Sequence, residues 1–229
     1  MSDPRIIIAL DVPGEAEALE LVDRLGGSVS VYKVGMELYA AAGMAFVQKL
    51  LARDKQVFLD LKFYDIGETV KRAVAAVAKT GVSLLTVHGS GAVMRAAVEG
   101  RGASGLKLLA VTVLTSFDEE DLRDLGYPCS VAELVELRVR KARESGIDGM
   151  VCSPLEVARV REIAGPEAIL VTPGVRSAGA SSGDQKRVAT PAEAIRNGAS
   201  HLVIGRQVTR AADPAAAIEA LRAELTPLL

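Results

Sequence analysis

Short runs of aliphatic and β-branched residues recur along this chain, separated by Ala-rich stretches in which apolar positions return every three or four residues. The runs predict strands at 5–10, 31–34, 56–61, 83–88, 107–114, 149–152, 168–172 and 201–205. The stretches between and after them predict helices over 14–25, 37–53, 67–79, 91–100, 130–145, 155–163, 190–197 and 214–226. The strands are close to continuously apolar, as expected of a parallel sheet covered by helices. No composition break or linker interrupts the eight β/α units, which predicts one domain over residues 1–229 folded as a (β/α)8 TIM barrel. A doubly wound open sheet is the other arrangement such units allow. The turn after the first strand, ALDVPG, lacks the Gly-x-Gly-x-x-Gly spacing of a dinucleotide-binding sheet.

A barrel keeps its chemistry at the C-terminal ends of its strands. Polar residues gather there in this sequence. Strand one ends in Asp11, strand two carries Lys33 with Gly35 behind it, and strand three ends in DLKFYDIGET with Asp60, Lys62 and Asp65. Strand four ends in His88, strand five in Thr115 and Ser116, and strand six in Ser153. Strand seven ends in TPGVR, residues 172–176, and strand eight in Gly205 and Arg206. The opposite rim promises nothing comparable. Side chains alternate along a strand, so Asp60 and Lys62 face the same side.

Composition narrows the classes. At 49% hydrophobic residues the chain can bury a sizeable core. A net charge of −2 gives no general attraction for nucleic acid or an anionic membrane, and 3% aromatic residues with no Trp argue against base-stacking platforms. Cys129 and Cys152 form neither a ligand spacing nor a disulfide framework, which suits a reducing cytoplasm. The start, MSDPRIIIALDV, does not read as a signal peptide, and no apolar run reaches membrane-spanning length. No His, Cys or carboxylate spacing suggests zinc.

Each constellation has a bland reading. Asp60, Lys62 and Asp65 could be an ion-pair network closing the barrel, but Lys33 brings a second ammonium to the same mouth, more than a structural plug requires. Alternating charges keep one another ionised. A protonated lysine is a poor Schiff-base nucleophile and a good proton donor, which favours general-acid chemistry. Arg176 and Arg206, beside Gly174 and Gly205 on adjacent strand ends, predict a phosphate pocket, although a lone rim arginine is usually only solvated. The long polar loop 177–189 reads as a lid or as a surface excursion, with Gln185 its one neutral amide side chain. His88 reads as a satisfied structural residue, His201 stands at the wrong rim, and the charges of helix 130–145 read as a solvated face.

DLKFYDIGET resembles the D-x-K-x-x-D-I signature of the orotidine 5′-phosphate decarboxylase family. ALDV, KVG, VH-x-x-G, VLTS, TPGVR, GDQKRVATP and IGR resemble its other motifs, in order, from residue 5 to about residue 210. Gly67 stands where many relatives carry proline and Glu68 where asparagine is frequent; neither replaces a catalytic residue. The resemblance implies cofactor-free decarboxylation of orotidine 5′-monophosphate to uridine 5′-monophosphate, with no metal. It implies Lys62 as proton donor to C6, Asp60 beside the substrate carboxylate, and Lys33 and Asp11 on the ribose. It also implies a homodimer in which Asp65, Ile66 and Thr69 reach the neighbouring site. Thr115 then reads the pyrimidine edge and Pro173 lines the base pocket. Gln185 closes over the substrate, and Gly205, Arg206 and Arg176 hold the phosphate.

Two other readings stay open on the residues alone. A magnesium-dependent sugar-phosphate decarboxylase or aldolase of the same superfamily typically has Glu where Lys33 stands, and an ammonium there would repel a divalent cation. A non-catalytic nucleotide-binding barrel would need only the phosphate grip and not the charge array.

Overall fold

The computed structural model describes residues 2–177 and 189–226. Its sheet closes on itself in sequential order, every pair parallel: β1 (Ile6–Ala9), β2 (Val31–Gly35), β3 (Gln56–Phe63), β4 (Leu84–His88), β5 (Lys107–Val111), β6 (Gly149–Val151), β7 (Ile169–Thr172) and β8 (His201–Ile204). The helices on its outside are α1 (Glu15–Leu25), α2 (Met36–Leu51), α3 (Gly67–Val77), α4 (Gly91–Arg101), α5 (Glu119–Asp124), α6 (Val131–Ser145), α7 (Val157–Ala164), α8 (Pro191–Arg196), α9 (Arg206–Thr209) and α10 (Pro214–Leu225). This is the (β/α)8 barrel that the alternating pattern predicts, and the open-sheet arrangement is excluded.

Closure makes two apolar layers. Ile7, Ala9, Val31, Phe58, Leu84, Leu109, Val171 and Val203 fill the barrel interior, and a larger cluster lies between the sheet and the helices. Residues two apart on a strand share a face, so the inward set fixes what stands above it. Asp11 follows Ile7 and Ala9, Lys33 follows Val31, and Asp60 follows Phe58. The strands that fill the barrel therefore also aim its charges.

Four local features depart from the sequence reading. β5 ends at Val111 rather than 114, and just beyond it the Thr112 carbonyl accepts from the Arg138 guanidinium. Arg138 also donates to the Tyr127 hydroxyl at 2.9 Å, so this charge of α6 is not part of a solvated face. The short α5 is an additional element, held by a capping box between Asp118 and Asp121. The N-terminal rim is not bare either: Asp148 accepts from Arg101, from Lys107 at 3.2 Å and from the Leu108 amide at 2.9 Å.

Candidate active site

The sharpest irregularity in the sheet lies at the end of β3. Leu59 pairs with Leu85 and Phe63 with Val87, so Asp60, Leu61 and Lys62 stand opposite the single residue Thr86. Such a bulge re-aims side chains. Lys62 has φ +49°, a conformation rare outside glycine. Simple alternation is thus not what brings Asp60 and Lys62 together; the bulge does, and Lys62 Nζ donates to Asp60 Oδ1 at 2.9 Å.

The other members of the array come from β2 and the end of β1. Lys33 Nζ lies 2.8 Å from Asp11 Oδ1 and 3.7 Å from Asp60 Oδ2. The order in space is Asp11, Lys33, Asp60, Lys62, with signs alternating. The Asp60 and Lys33 side chains are 14% and 10% exposed, while Lys62 keeps 36% exposed toward the mouth. Burial by itself would raise the Asp60 pKa. The Lys33 and Lys62 charges, with hydrogen bonds from Lys62 and Thr86, outweigh it and hold the carboxyl below its ordinary value. Gly35 makes room for the lysine: a Cβ there would stand 3.0 Å from Lys33 Nζ and 3.2 Å from Asp11 Oδ1.

Above the array opens a cleft of about 440 Å³, ample for a nucleotide-sized ligand. Thr115, Pro173, Arg176, Gly205 and Arg206 line it along with Asp11, Lys33, Asp60 and Lys62. Burial and the neighbouring Arg206 charge pull the Arg176 pKa below its usual value, a like-charge approach suited to a shared anion. The chain at Arg176 is pinned, its amide donating to the Ala189 carbonyl at 3.0 Å. Ser177 is tied to the neighbour of Arg206: its amide donates to Gln207 Oε1 at 3.1 Å, and its hydroxyl donates to Glu224 at 2.8 Å.

Not every expected residue meets here. Asp65, Ile66 and Thr69 do not line the cleft of their own chain; Ile66 is 77% exposed, and Asp65 turns to accept from the Ile66 amide at 2.6 Å. Gln185 lies outside the described residues. Conversely, Glu37, Thr209 and Arg210 line the cleft without having been singled out. Arg210 was legible as the residue four beyond Arg206; Glu37 was signalled only by its closeness to Gly35. His88 is not a satisfied residue: its buried Nδ1 has no partner, and its ring packs on Tyr64 with centroids 4.2 Å apart. Burial, helped by the Arg138 charge, lowers its pKa to about 4. His201 lines a separate cleft at the N-terminal rim, as its place at the start of β8 implied.

Among the described residues no cluster of three or more His, Cys, Asp or Glu is placed to hold a metal ion. The space between Asp11 and Asp60, where a cation would find carboxylates, is taken by the Lys33 ammonium.

Comparison with known proteins agrees with this geometry. A protein named orotidine 5′-phosphate decarboxylase from Rhodopseudomonas palustris (strain HaA2) is 55% identical over 96% of this chain and 94% of its own length. One of the same name from Methylobacterium nodulans is 52% identical over 96% of this chain and 95% of its own. The crystal structure of orotidine 5′-phosphate decarboxylase from Lactobacillus acidophilus superposes with a TM-score of 0.86 at 38% identity, over 98% of this chain and all of that one. Residues 4–221 match the sequence profile of the orotidine 5′-phosphate decarboxylase / HUMPS family, and the chain belongs to that family.

Proposed function

We propose that this chain decarboxylates orotidine 5′-monophosphate to uridine 5′-monophosphate and carbon dioxide, the last step of de novo pyrimidine synthesis. The observation that carries the reading is the alternating array of Asp11, Lys33, Asp60 and Lys62 at one end of a cleft with Arg176 and Arg206 elsewhere on its wall. Loss of carbon dioxide leaves an electron pair in the plane of the pyrimidine ring, out of conjugation with it. A fixed ammonium can stabilise that pair and then give it a proton. Lys62 takes this role because it is the more exposed of the two ammoniums in the array. Asp60, ionised and held by two lysines and Thr86, orients the ammonium and crowds the leaving carboxylate. The larger share of the rate comes from preorganised stabilisation of the carbanion rather than from that repulsion.

Lys33 and Asp11 serve the ribose hydroxyls, Thr115 the pyrimidine edge and Pro173 the base pocket. The Gly205 and Arg206 amides and the Arg206 and Arg176 side chains serve the phosphate, with Gln185 closing over the substrate. Phosphate lies far from the reacting carbon, so its binding energy is available to assemble the site. Asp65, Ile66 and Thr69 act in the neighbouring site of a homodimer. Their absence from the cleft of their own chain and the exposure of Tyr64 and Ile66 support that placement. The reaction needs no cofactor or metal, and the chain works in the cytoplasm, a reading supported by the low cysteine usage, Cys129 and Cys152 alone. Among the described residues no helix is long and apolar enough to cross a membrane.

The test is the ultraviolet absorbance of orotidine 5′-monophosphate mixed with the protein in excess chelator. Decay toward the product spectrum is expected. No decay by folded, dimeric protein would favour the metal-dependent sugar-phosphate reaction, and tight product binding without turnover would favour a binding barrel.

A further inference from the structure

We infer that Thr86 is a positioning residue for the catalytic pair, its hydroxyl fixing the bulge that carries Lys62. The inference rests on the roles given above to Lys62 and Asp60. It starts from the broken ladder between β3 and β4. Three residues of β3 face one residue of β4, so the regular exchange of backbone hydrogen bonds fails there. The Lys62 amide instead donates to Thr86 Oγ1 at 2.9 Å. The same hydroxyl donates its proton to Asp60 Oδ1 at 3.0 Å, and that oxygen also accepts from Lys62 Nζ at 2.9 Å. A small closed ring results: Lys62 amide, Thr86 hydroxyl, Asp60 carboxylate, Lys62 ammonium.

The ring has a chemical requirement that few side chains meet. One atom must accept from an N–H and donate to a carboxylate at once, and a hydroxyl does both. Thr86 is fully buried between the inward-facing Leu84 and the strand end, so no bulk water can take over either bond. The strained Lys62 backbone persists only where its surroundings over-determine it. Thr86 ties that backbone and the orientation of Asp60 to the rigid sheet. It does not line the cleft and acts only through its two neighbours. A displacement of a reacting group by about 1 Å can cost on the order of 10²-fold in rate, and the ring holds both ends of the Lys62 side chain against such drift.

The test compares Thr86→Val, which keeps shape and removes the hydroxyl, with Thr86→Ser, which keeps the hydroxyl. Thr86→Val is expected to lower kcat by about 10- to 100-fold, with affinity for uridine 5′-monophosphate within about twofold of the parent. Thr86→Ser is expected to restore kcat to within about threefold. Folded Thr86→Val with parental kcat would overturn the inference. So would equal losses of kcat and nucleotide affinity in both variants, which mark a general collapse of the mouth. Hydrogen exchange of the Lys62 amide in the parent protein guards against a variant that does not fold: protection is expected, and exchange at the rate of an exposed loop would also overturn the inference. Failure here is distinguishable from failure of the underlying roles. A Lys62→Ala variant that still turns over refutes those roles, whereas an inert Lys62→Ala beside a fully active Thr86→Val refutes only the part given to Thr86.

Discussion

Replacing Lys62 by alanine removes the more exposed of the two ammoniums described at the cleft and leaves the proposed phosphate grip in place. The Lys62–Asp60 attraction exists before and during the reaction, so it does not count toward the rate; only the interaction with the developing carbanion does. Asp60 is 14% and Lys62 36% exposed, a setting neither aqueous nor dry, for which an effective dielectric of about 20 is appropriate. A unit charge about 3 Å from the carbanion then contributes 332/(20 × 3), or about 5 to 6 kcal/mol. That corresponds to about 10⁴-fold in rate. Loss of the proton donor adds about 10²-fold or more where protonation is concerted with bond cleavage. Steady-state decay of orotidine 5′-monophosphate absorbance measures the turnover, and calorimetry with uridine 5′-monophosphate measures binding. The expected result is turnover lowered by at least about 10⁴-fold with product affinity little changed. Turnover within about tenfold of the parent would refute the reasoning, because among the described residues Lys33, the other ammonium of the array, is only 10% exposed.

Lys33→Met should cost both activity and stability, since it leaves the buried Asp60 with one ammonium instead of two; a fall of about 1–3 kcal/mol in denaturant unfolding is expected, with the loss smaller at a pH where Asp60 is protonated. Asp60 has a lowered pKa when folded, so its contribution to stability is complete above the ordinary carboxylate value and is lost as pH falls through the folded one; acid unfolding curves of the parent and of Asp60→Asn should converge at low pH. His88 stays neutral in the folded protein down to a pH of about 4 but titrates near 6.5 when unfolded. Stability should therefore decline between those values as pH falls, and His88→Gln should flatten that part of the curve. Ile66→Glu should shift the protein toward monomer in sedimentation and lower activity at dilute concentrations, with activity rising again on mixing with a subunit that is catalytically dead at Lys62 but carries native 65–69 residues. Arg206→Ala should weaken the substrate complex more than it affects a truncated substrate lacking phosphate, read as the ratio of kcat/KM values for the two.

The barrel was legible because its signals are local. Near-continuous apolar strands and three-to-four-residue helical periodicity repeat eight times, and burial on both faces of a parallel sheet dictates both. Asp11, Lys33 and Asp60 were legible as site residues because strand parity aims them inward above Ile7, Val31 and Phe58, and parity is a property of sequence. Arg176 and Arg206, the residues proposed for the phosphate, could be placed on one rim because both follow strand ends. What sequence could not decide is whatever depends on two strands meeting. The Lys62 bulge arises from a register mismatch between β3 and β4, and nothing in DLKF alone announces a positive φ. Thr86 reads as one more β-branched strand residue until its hydroxyl is seen between the Lys62 amide and Asp60. Arg138 reads as a surface charge until its guanidinium is seen donating to the Thr112 carbonyl and the Tyr127 hydroxyl. Local pattern sets which face a side chain takes; its partners across the barrel are set only when closure brings distant strands within hydrogen-bond reach.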